Sequence, residues 1–375
     1  MKILNIITSL GDGGAEATLC KLLSANKNHH DHFVICLMGK GKYGEKLINN
    51  NINLTTLNLP RGKITLKAIF LLFKTIKQIS PDVVQTWLYH ADFIGGLISK
   101  IIGIKKIFWN IRTSEYFSKN ISFKTKIIIK VNAYLSYLIP NKIIYCSSRS
   151  IKIHEEIGFA KKSLLIRNGY DQALFKDDII KRNIYRKNLN ISKDDFVIGF
   201  VSRFDPIKNH QLLIDSIDLL LSKDDKVKNI KCIFIGKGIK SNKLINQLIN
   251  SKNLTNFFIL LDQQENISDY MNILDLHVLP SDGEGFPNVV AESMCCSIVN
   301  IARDVGDSSI IISDNNLIFN DNTKELSELL YKMKNIKENQ IDKWLDMKKN
   351  VKKNIIINYS INKMVKDYYS LWLVK

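Results

Sequence analysis

The sequence lacks three patterns, and each absence narrows the class of protein. The six cysteines form no Cys-x-x-Cys pair and most lie in apolar surroundings, so we expect buried free thiols in a reducing compartment rather than a disulfide framework or a zinc site. No run of about 18 uninterrupted apolar residues occurs, which argues against a transmembrane helix. Asp-x-Asp is also absent, so a common carboxylate motif for a divalent metal is missing.

A glycine-rich loop near the start of the chain is incomplete as a dinucleotide-binding motif. GDGGAE, residues 11–16, follows a predicted strand and opens a helix, but Glu16 stands where Gly-x-Gly-x-x-Gly requires its last glycine. The second predicted strand ends in Cys36-Leu37-Met38-Gly39, which offers no carboxylate for a ribose. We therefore do not expect NAD, and an ordinary tight turn remains one interpretation of the loop.

Positive charge is concentrated in the first half of the chain. Residues 1–170 contain 25 Lys and Arg against 9 Asp and Glu, a net charge of +16. Residues 171–375 contain 29 against 27, a net charge of +2. This asymmetry indicates an anionic partner, and the sequence leaves open a nucleic acid, a membrane surface or a phosphorylated substrate.

Short β-branched runs alternate with longer amphipathic runs along the chain. This alternation predicts an α/β fold with two doubly wound parallel sheets, divided near residue 175. The predicted strands are Lys2–Thr8, His32–Leu37, Ile52–Leu57, Asp82–Thr86, Lys106–Ile111, Lys142–Cys146, Ser163–Arg167, Phe196–Val201, Lys231–Gly236, Phe257–Leu261, Leu276–Pro280 and Ser297–Ile301.

The stretch SDGEGFPNVVAESMCCSIVNIARD, residues 281–304, predicts a ligand site. Pro287 suits the first position of a helix, because it has no N–H group to leave unpaired there. The N–H groups at this helix start favour an anion, whereas Glu284 and Glu292 suit the neutral hydroxyls of a sugar and a ribose. We therefore expect a nucleotide-sugar site, with a strand–turn–helix carrying two solvated glutamates as the structural alternative.

Three segments also carry a family resemblance. EGFPNVVAE, residues 284–292, resembles the donor-site signature of retaining family 4 glycosyltransferases of the GT-B fold. GGAE, residues 13–16, is similar to the first loop of that family, and Arg203 and Lys208 resemble its basic pair. The resemblance implies two Rossmann-like domains facing a cleft. These are an acceptor-side domain of residues 1–175 and a donor-binding domain of residues 176–358. A C-terminal helix, residues 359–375, is expected to cross back to the first domain.

The resemblance further implies a role for each site residue. Glu284 would hold the hydroxyls of the donor sugar, and Glu292 the ribose. Arg203 and Lys208 would stabilise the charge that develops on the departing diphosphate, so we expect no metal and no other cofactor. The remaining donor-binding residues are expected to be Gly13, Gly14, Gly285, Phe286, Pro287, Asn288 and Val289.

The histidine expected after the fourth strand is displaced. Relatives often carry histidines just after the strand matching Asp82–Thr86, where this chain has Gln and Trp. His90 lies a few residues further on and is predicted to reach the donor sugar as a catalytic group, with a helix-cap or surface role as the alternative. Trp87 and Tyr89 are predicted to stack on the acceptor, and Arg112 to bind an acceptor phosphate or to form a loop salt bridge.

Lysines cluster on two predicted helices of the first domain. At about 100° per residue, four of them project within one arc of the predicted helix Ile64–Ile79. Such faces lie on anionic lipid in many proteins, although a solvated helix face is the simpler interpretation and nucleic acid the competing partner. The two clusters are Lys63, Lys67, Lys74 and Lys77, and Lys119, Lys124, Lys126 and Lys130.

Together, these features predict a hexosyl- or N-acetylhexosaminyl-type glycosyltransferase of bacterial surface-polysaccharide biosynthesis. We expect a nucleotide-sugar donor, a UDP-sugar ahead of a GDP-sugar, and a lipid-diphosphate-linked or oligosaccharide acceptor. The predicted location is the cytoplasmic face of the membrane, with peripheral attachment to anionic lipid and no nucleic acid. A hydrolysing epimerase of similar fold and a non-catalytic protein that binds anionic ligands remain the alternatives.

Overall fold

The computed structural model describes residues 1–25, 30–60, 65–112, 122–223 and 227–374. The chain divides into two compact units. Unit 1 comprises Met1–Gly169 together with Ile361–Lys375, and unit 2 comprises Tyr170–Ser360. The last segment of the chain therefore packs with the first unit.

Unit 1 is built on a parallel sheet that has seven strands within the described ranges, in the order β3-β2-β1-β4-β5-β6-β7. The strands are β1 Lys2–Ile7, β2 Asp31–Cys36, β3 Asn53–Thr56, β4 Val83–Trp87, β5 Lys106–Ile111, β6 Lys142–Tyr145 and β7 Ser163–Leu165. The helices are α1 Gly14–Ser24, α2 Gly41–Asn49, α3 Leu66–Ile79, α4 Tyr89–Ile102, α5 Phe123–Leu135, α6 Ser148–Ile157 and the C-terminal α15 Ile361–Leu373.

Unit 2 repeats this plan with a parallel sheet that has six strands in the described part of the chain, in the order β10-β9-β8-β11-β12-β13. The strands are β8 Phe196–Val201, β9 Ile230–Ile235, β10 Phe258–Leu261, β11 Leu276–Leu279, β12 Val299–Arg303 and β13 Ile318–Phe319. The helices are α7 Ile179–Asn188, α8 His210–Lys223, α9 Lys243–Ser251, α10 Ile267–Asn272, α11 Asn288–Cys295, α12 Ser308–Ile312, α13 Thr323–Asn339 and α14 Ile341–Tyr359.

The predicted fold class is confirmed, because both sheets are parallel and alternate with helices. The central strands are buried along most of their length because helices cover both of their faces. In β8, for example, every residue from Phe196 to Val201 is buried. The two-residue strand β13 has no signal in the sequence pattern.

Helices α3, α4 and α5 cover one face of the unit 1 sheet. Leu72 of α3 and Ile98 of α4 share a core cluster with Leu4 of β1. Ile129 of α5 shares a second cluster with Trp109 of β5. Because successive side chains of a strand point to opposite faces, the neighbours of these core residues face a different set of helices.

Helix α15 closes the opposite face of the same sheet through buried polar contacts. Trp372 Nε1 donates a hydrogen bond to Gln85 Oε1 at 2.8 Å. Asn110 Nδ2 donates to the hydroxyl of Tyr368, also at 2.8 Å. All four residues are fully buried, so these hydrogen bonds satisfy polar groups that a purely apolar core would leave unpaired.

Each sheet has one point at which the strand order reverses. In unit 1 the chain runs outward from β1 to β3 and returns to β4 on the other side of β1. In unit 2 it runs outward from β8 to β10 and returns to β11. Ligands of open α/β sheets bind at the carboxyl ends of the strands that flank such a reversal. We therefore expect ligands to bind at the loops after β1 and β4 in unit 1, and at the loops after β8 and β11 in unit 2.

Candidate functional site

The loop after β8 presents the first predicted cation, Arg203. Arg203 Nη2 lies 3.0 Å from Asp205 Oδ2, and the Arg203 side chain is 62% exposed. Burial alone would raise the pKa of Asp205. The hydrogen bonds from Arg203 and from the Ile207 N–H outweigh burial and lower this pKa. Asp205 thereby also caps the short 3-10 turn Pro206–Lys208. The guanidinium is held at the carboxyl end of β8 and still faces solvent.

The second predicted cation, Lys208, contacts a carboxylate from the loop after β11. Lys208 Nζ lies 2.6 Å from Glu284 Oε1, and the two side chains are only 18% and 13% exposed. A charge-assisted hydrogen bond between partly buried partners fixes two flexible side chains in one geometry. The structure therefore brings a predicted phosphate-binding cation and the predicted sugar-binding carboxylate together at the reversal point of unit 2.

Asp282 joins three strand ends around this pair. Its N–H donates to Ile207 O at 2.8 Å, and its Oδ1 accepts a hydrogen bond from Asn209 Nδ2 at 2.9 Å. Arg303 at the end of β12 contacts the same Oδ1 through Nη1 and reaches Asp321 Oδ2 through Nη2 at 2.9 Å. Asp282 thus links the loop carrying Lys208 to the loop carrying Glu284, a function that the sequence analysis missed.

Gly306 allows a third loop to approach the Glu284 loop. Its φ is +59°, and a Cβ atom there would lie 2.4 Å from Gly285 O and 2.8 Å from Glu284 O. The next N–H, of Asp307, donates to Gly285 O at 3.1 Å. No side chain fits in this gap, so the position requires glycine.

Helix α11 begins one residue later than the sequence predicts. Pro287 is its N-cap, with ψ of 91°, and Asn288 is the first helical residue. The prediction that Pro287 occupies the first helical position is therefore wrong, because its extended ψ places it before the first turn. Pro287 still lacks an N–H group, so the placement leaves no additional donor at the helix start.

Aromatic rings support the start of α11. Phe286 stacks on Tyr170 with ring centroids 6.4 Å apart and lies against Tyr359 at 5.9 Å. The Tyr170 hydroxyl donates to Asn288 Oδ1 at 2.5 Å. These contacts fix the backbone from Gly285 to Val289, and the Val290 N–H donates to Pro287 O at 3.1 Å at the start of the helix. Glu292 lies just over one turn further along α11 and is partly exposed.

The glycine loop of unit 1 lies at the reversal point of its own sheet. Gly13 is the N-cap of α1 and Gly14 its first residue. Glu16 is 7% exposed, and its Oε1 accepts a hydrogen bond from Ser9 Oγ at 2.7 Å. A Cβ on Gly13 would lie 2.3 Å from Glu16 Oε2, so the buried carboxylate occupies the space beside this glycine.

His90 lies in the first turn of α4, beside β1, at the same reversal point. Burial lowers its pKa, which favours a neutral imidazole at neutral pH. Leu88, the N-cap of α4, has φ of 73° and ψ of 153°, a backbone conformation that residues other than glycine rarely adopt. Strained residues of this kind cluster at functional sites, because the surrounding structure has to stabilise them.

The structure does not support acceptor stacking by Trp87 and Tyr89. The Trp87 ring is fully buried and donates to Asn5 Oδ1 at 3.0 Å, and Tyr89 is 6% exposed. The Tyr89 hydroxyl contacts His154 Nε2 at 2.7 Å. Neither ring offers a free face to a sugar. Apolar neighbours and buried polar partners hold both rings in the core.

Arg112 is engaged within unit 1 rather than extended into solvent. Its guanidinium lies over the Trp87 ring, 5.8 Å from the centroid, and donates to Asn168 Oδ1 and to the Tyr368 hydroxyl. The guanidinium therefore connects α15 to the segment that contains Asn168. A contact with an acceptor phosphate stays a prediction.

No cluster of three or more His, Cys, Asp or Glu suited to a metal ion occurs among the described residues. All six cysteines are free and buried. Within the same ranges, none of the helices has the length and apolar character needed to cross a membrane.

In sequence, the chain is similar to a glycosyltransferase family model and to individual glycosyltransferases. Residues 181–354, which include Arg203, Lys208, Glu284 and Glu292, match the family model described as Glycosyl transferases group 1. Over 383 residues, the chain is 24% identical to the capsular polysaccharide biosynthesis glycosyltransferase CapH of Staphylococcus aureus, covering 100% of this chain and 99% of the relative. It is 23% identical over 317 residues to the UDP-Gal:alpha-D-GlcNAc-diphosphoundecaprenol alpha-1,3-galactosyltransferase of Escherichia coli, covering 81% of this chain and 79% of the relative.

Comparison of structures supports the same fold. The crystal structure of Anabaena HepE in complex with UDP aligns with a TM-score of 0.84 and 19% identity, over 99% of each chain. Residues 181–354 thus match a glycosyltransferase family model, and the chain has the GT-B fold of its structural neighbours.

Proposed function

We propose that the chain transfers a hexosyl or N-acetylhexosaminyl group from a UDP-sugar to a lipid-diphosphate-linked or oligosaccharide acceptor, with retention of anomeric configuration. The contact between Lys208 and Glu284 at the reversal point of unit 2 carries this proposal. It joins a cation suited to a diphosphate to a carboxylate suited to sugar hydroxyls. The names of the CapH and galactosyltransferase relatives support bacterial surface-polysaccharide biosynthesis, and the UDP complex of HepE supports a UDP-sugar.

The chemistry we propose uses no protein nucleophile. The bond between the anomeric carbon and the diphosphate oxygen breaks, and the acceptor hydroxyl bonds to the same face of the sugar. The acceptor proton passes to the departing phosphate oxygen. Arg203 and Lys208 stabilise the negative charge on the leaving UDP, together with the amides from Gly285 to Val289.

The remaining site residues bind and orient the donor and the acceptor. Glu292 holds the ribose, and Glu284 holds the sugar hydroxyls while its other contact keeps Lys208 in place. His90 and the backbone of Gly13 and Gly14 lie at the reversal point of unit 1, where ligands of such sheets bind. We propose that these unit 1 groups contact the donor sugar and the acceptor.

We also propose that the enzyme attaches peripherally to the cytoplasmic face of the membrane, where a lipid-linked acceptor resides. The net charge of +16 in residues 1–170 supports attachment to anionic lipid. Lys67, Lys74 and Lys77 of α3 are exposed, as are Lys124 and Lys130 of α5. The predicted lysines Lys63 and Lys119 lie outside the described residues.

Turnover with a panel of UDP- and GDP-sugars tests the proposal, with a lipid-diphosphate-linked saccharide as acceptor and excess EDTA present. We expect transfer from one UDP-sugar, retention in the product, and no loss of rate on chelation. Arg203→Ala should lower turnover by about 10²–10³-fold, because it removes a cation from the leaving group. Lys181→Ala is the matched control, since Lys181 forms a comparable ion pair with Asp269 on the surface of unit 2. Release of free sugar without acceptor would instead favour a hydrolase or epimerase.

A further inference from the structure

Helix α5 of unit 1 carries an exposed apolar stripe. Phe123, Ile127, Val131 and Tyr134 are 78%, 46%, 38% and 72% exposed. With about 100° between successive helical residues, the four side chains fall within an arc of about 80°. We call these four residues the α5 stripe. A contiguous apolar stripe of this length on a surface helix marks an interaction site more often than scattered single residues do.

The opposite side of the same helix already packs on unit 1. Ile129, Asn132 and Ala133 are buried there, and Asn132 Nδ2 donates to Tyr89 O at 2.8 Å. These residues lie on the far side of the helix from the α5 stripe. The folding of α5 onto the sheet therefore does not require the stripe, which is available for another surface.

Lysines flank the α5 stripe on both sides. Lys124 and Lys130 are exposed and lie on either edge of the apolar arc, and the helix, Phe123–Leu135, contains no acidic residue. An apolar centre edged by ammonium groups is complementary to an anionic bilayer, with acyl chains below and phosphates at the surface. A protein partner would instead need carboxylates arranged around an apolar ridge.

Helix α3 repeats the pattern in the same layer of helices. Leu66 and Phe70 are 85% and 68% exposed. Lys67, Lys74 and Lys77 are exposed beside them. Helix α4 packs between α3 and α5, so the two mixed apolar and basic faces belong to one side of the unit 1 sheet.

The orientation of these helices relates their exposed ends to the glycine loop and His90 of unit 1. Helix α5 ends at Leu135, close in sequence to the start of β6 at Lys142, and α3 ends at Ile79, close to the start of β4 at Val83. The carboxyl ends of both helices thus lie at the amino edge of the parallel sheet. Their amino ends, which carry the exposed residues Leu66 and Phe123, lie towards the carboxyl edge, where the glycine loop and His90 are found.

We infer that the α5 stripe inserts into the interface of an anionic lipid bilayer, with Leu66 and Phe70 of α3 as a second contact. The inference rests on the membrane-bound acceptor proposed above and assigns the surface that reaches it. The lysines attract the protein to the headgroups, and the apolar side chains hold it there. Insertion at this edge keeps the glycine loop and His90 of unit 1 close to the lipid surface.

Two sets of variants of the full chain test the inference against vesicles of phosphatidylcholine and phosphatidylglycerol. The first set combines Phe123→Gln, Ile127→Gln and Val131→Gln, which leave the charge unchanged. Its matched control combines Ile180→Gln and Ile184→Gln on α7, where both residues are exposed. The second set places an environment-sensitive dye on Ile127→Cys or on Ile184→Cys. Selective labelling is feasible because all six native cysteines are buried.

We expect the triple variant to need at least about tenfold more lipid for half-maximal sedimentation, since three inserted apolar groups are lost. The α7 control should behave as the wild type, and all variants should bind UDP and melt alike. The dye at position 127 should brighten and shift to the blue with vesicles, whereas the dye at position 184 should not.

Three results would overturn the inference. They are sedimentation with an unchanged dye spectrum at position 127, which assigns binding to the lysines alone; no sedimentation of the wild type; and a dimer that the triple variant dissociates. Failure of the proposed function is separable, because it would appear as absent sugar transfer in a vesicle-free assay with a soluble acceptor.

Discussion

Lys208 Nζ and Glu284 Oε1 lie 2.6 Å apart, although 76 residues separate them in the sequence. The contact joins the loop after β8 to the loop after β11, the two strands that flank the reversal of the unit 2 sheet. Each partner shields the other from solvent, so neither charge is fully available in the free protein. We expect the bound diphosphate to share the ammonium with Glu284 rather than to find it unpaired.

Lys208→Met tests this sharing. Loss of the ammonium should lower turnover by about 10²–10³-fold, because the leaving group loses a positioned cation. Combining it with Glu284→Gln should destabilise the fold less than the sum of the single changes, since removing one partner leaves the other buried and uncompensated. Thermal melts and turnover of the four proteins measure both effects. Additive melts would show that the two side chains do not interact in solution.

Asp282→Ala should separate the two loops. Its side chain links Asn209 to Arg303, so its loss should weaken UDP binding by about tenfold through the position of Lys208, as losing a hydrogen bond to a charged group does. Asp321→Ala is the matched control, because it removes the other partner of Arg303 and leaves Asn209 untouched. Titration calorimetry with UDP compares the variants. Equal weakening by both changes would assign the effect to Arg303 alone.

Gly306→Ala should damage the site through backbone contact. The added methyl group would meet the carbonyl oxygens of Gly285 and Glu284, so this loop has to move. Gly103→Ala is the control, since Gly103 also has positive φ but open space around it. Both changes should cost about 1 kcal/mol or more in strain, and only Gly306→Ala should also reduce UDP affinity. Equal UDP affinity in both variants would mean that the Glu284 loop tolerates the displacement.

Stability should fall as the pH is lowered from about 6.5 towards 4. Burial lowers the pKa of four histidines to about 4, so in this range the unfolded chain binds protons that the folded chain does not. Each such histidine can contribute up to about 1.4 kcal/mol per pH unit to the loss. The four residues are His32, His154, His210 and His277.

Asp92 should oppose this loss. Its carboxyl is fully buried, and burial raises its pKa, so the folded chain gains a proton before the unfolded chain does as the pH falls. Asp92→Asn should therefore steepen the decline in unfolding free energy measured by urea titration between pH 6.5 and 4. A stability that is flat or rises over this range in the wild type would contradict the assignment of neutral, buried histidines.

The sequence predicts every described strand except β13, because most of these strands are short runs of largely apolar, β-branched residues. It also predicts where ligands bind, since the glycine loop, Arg203 and Glu284 each follow such a run. The burial of Trp87 could not be predicted in this way. Its side-chain partner, Asn5, lies on the neighbouring strand and is itself polar, so no hydrophobic pattern marks the pair.

Sequence periodicity also cannot predict contacts between loops. Asp282 and Arg303 are 21 residues apart, one in a loop and the other at the end of β12, and no repeat of 2 or 3.6 residues relates them. The requirement for glycine at position 306 depends on the Glu284 loop, which arrives from another strand. One signal was available, because Arg303 ends a buried strand beside the predicted site, and Arg203 closely follows another.

Glu292 and Glu284 are assigned different roles in donor binding. Calorimetric titration of UDP with parallel turnover measurements tests this central assignment most directly. Glu292→Ala should weaken UDP binding, because Glu292 is assigned to the ribose. Glu284→Ala should leave UDP affinity nearly unchanged and abolish transfer, because Glu284 is assigned to the sugar. Equal loss of UDP affinity in both variants, or full transfer by Glu284→Ala, would contradict the account.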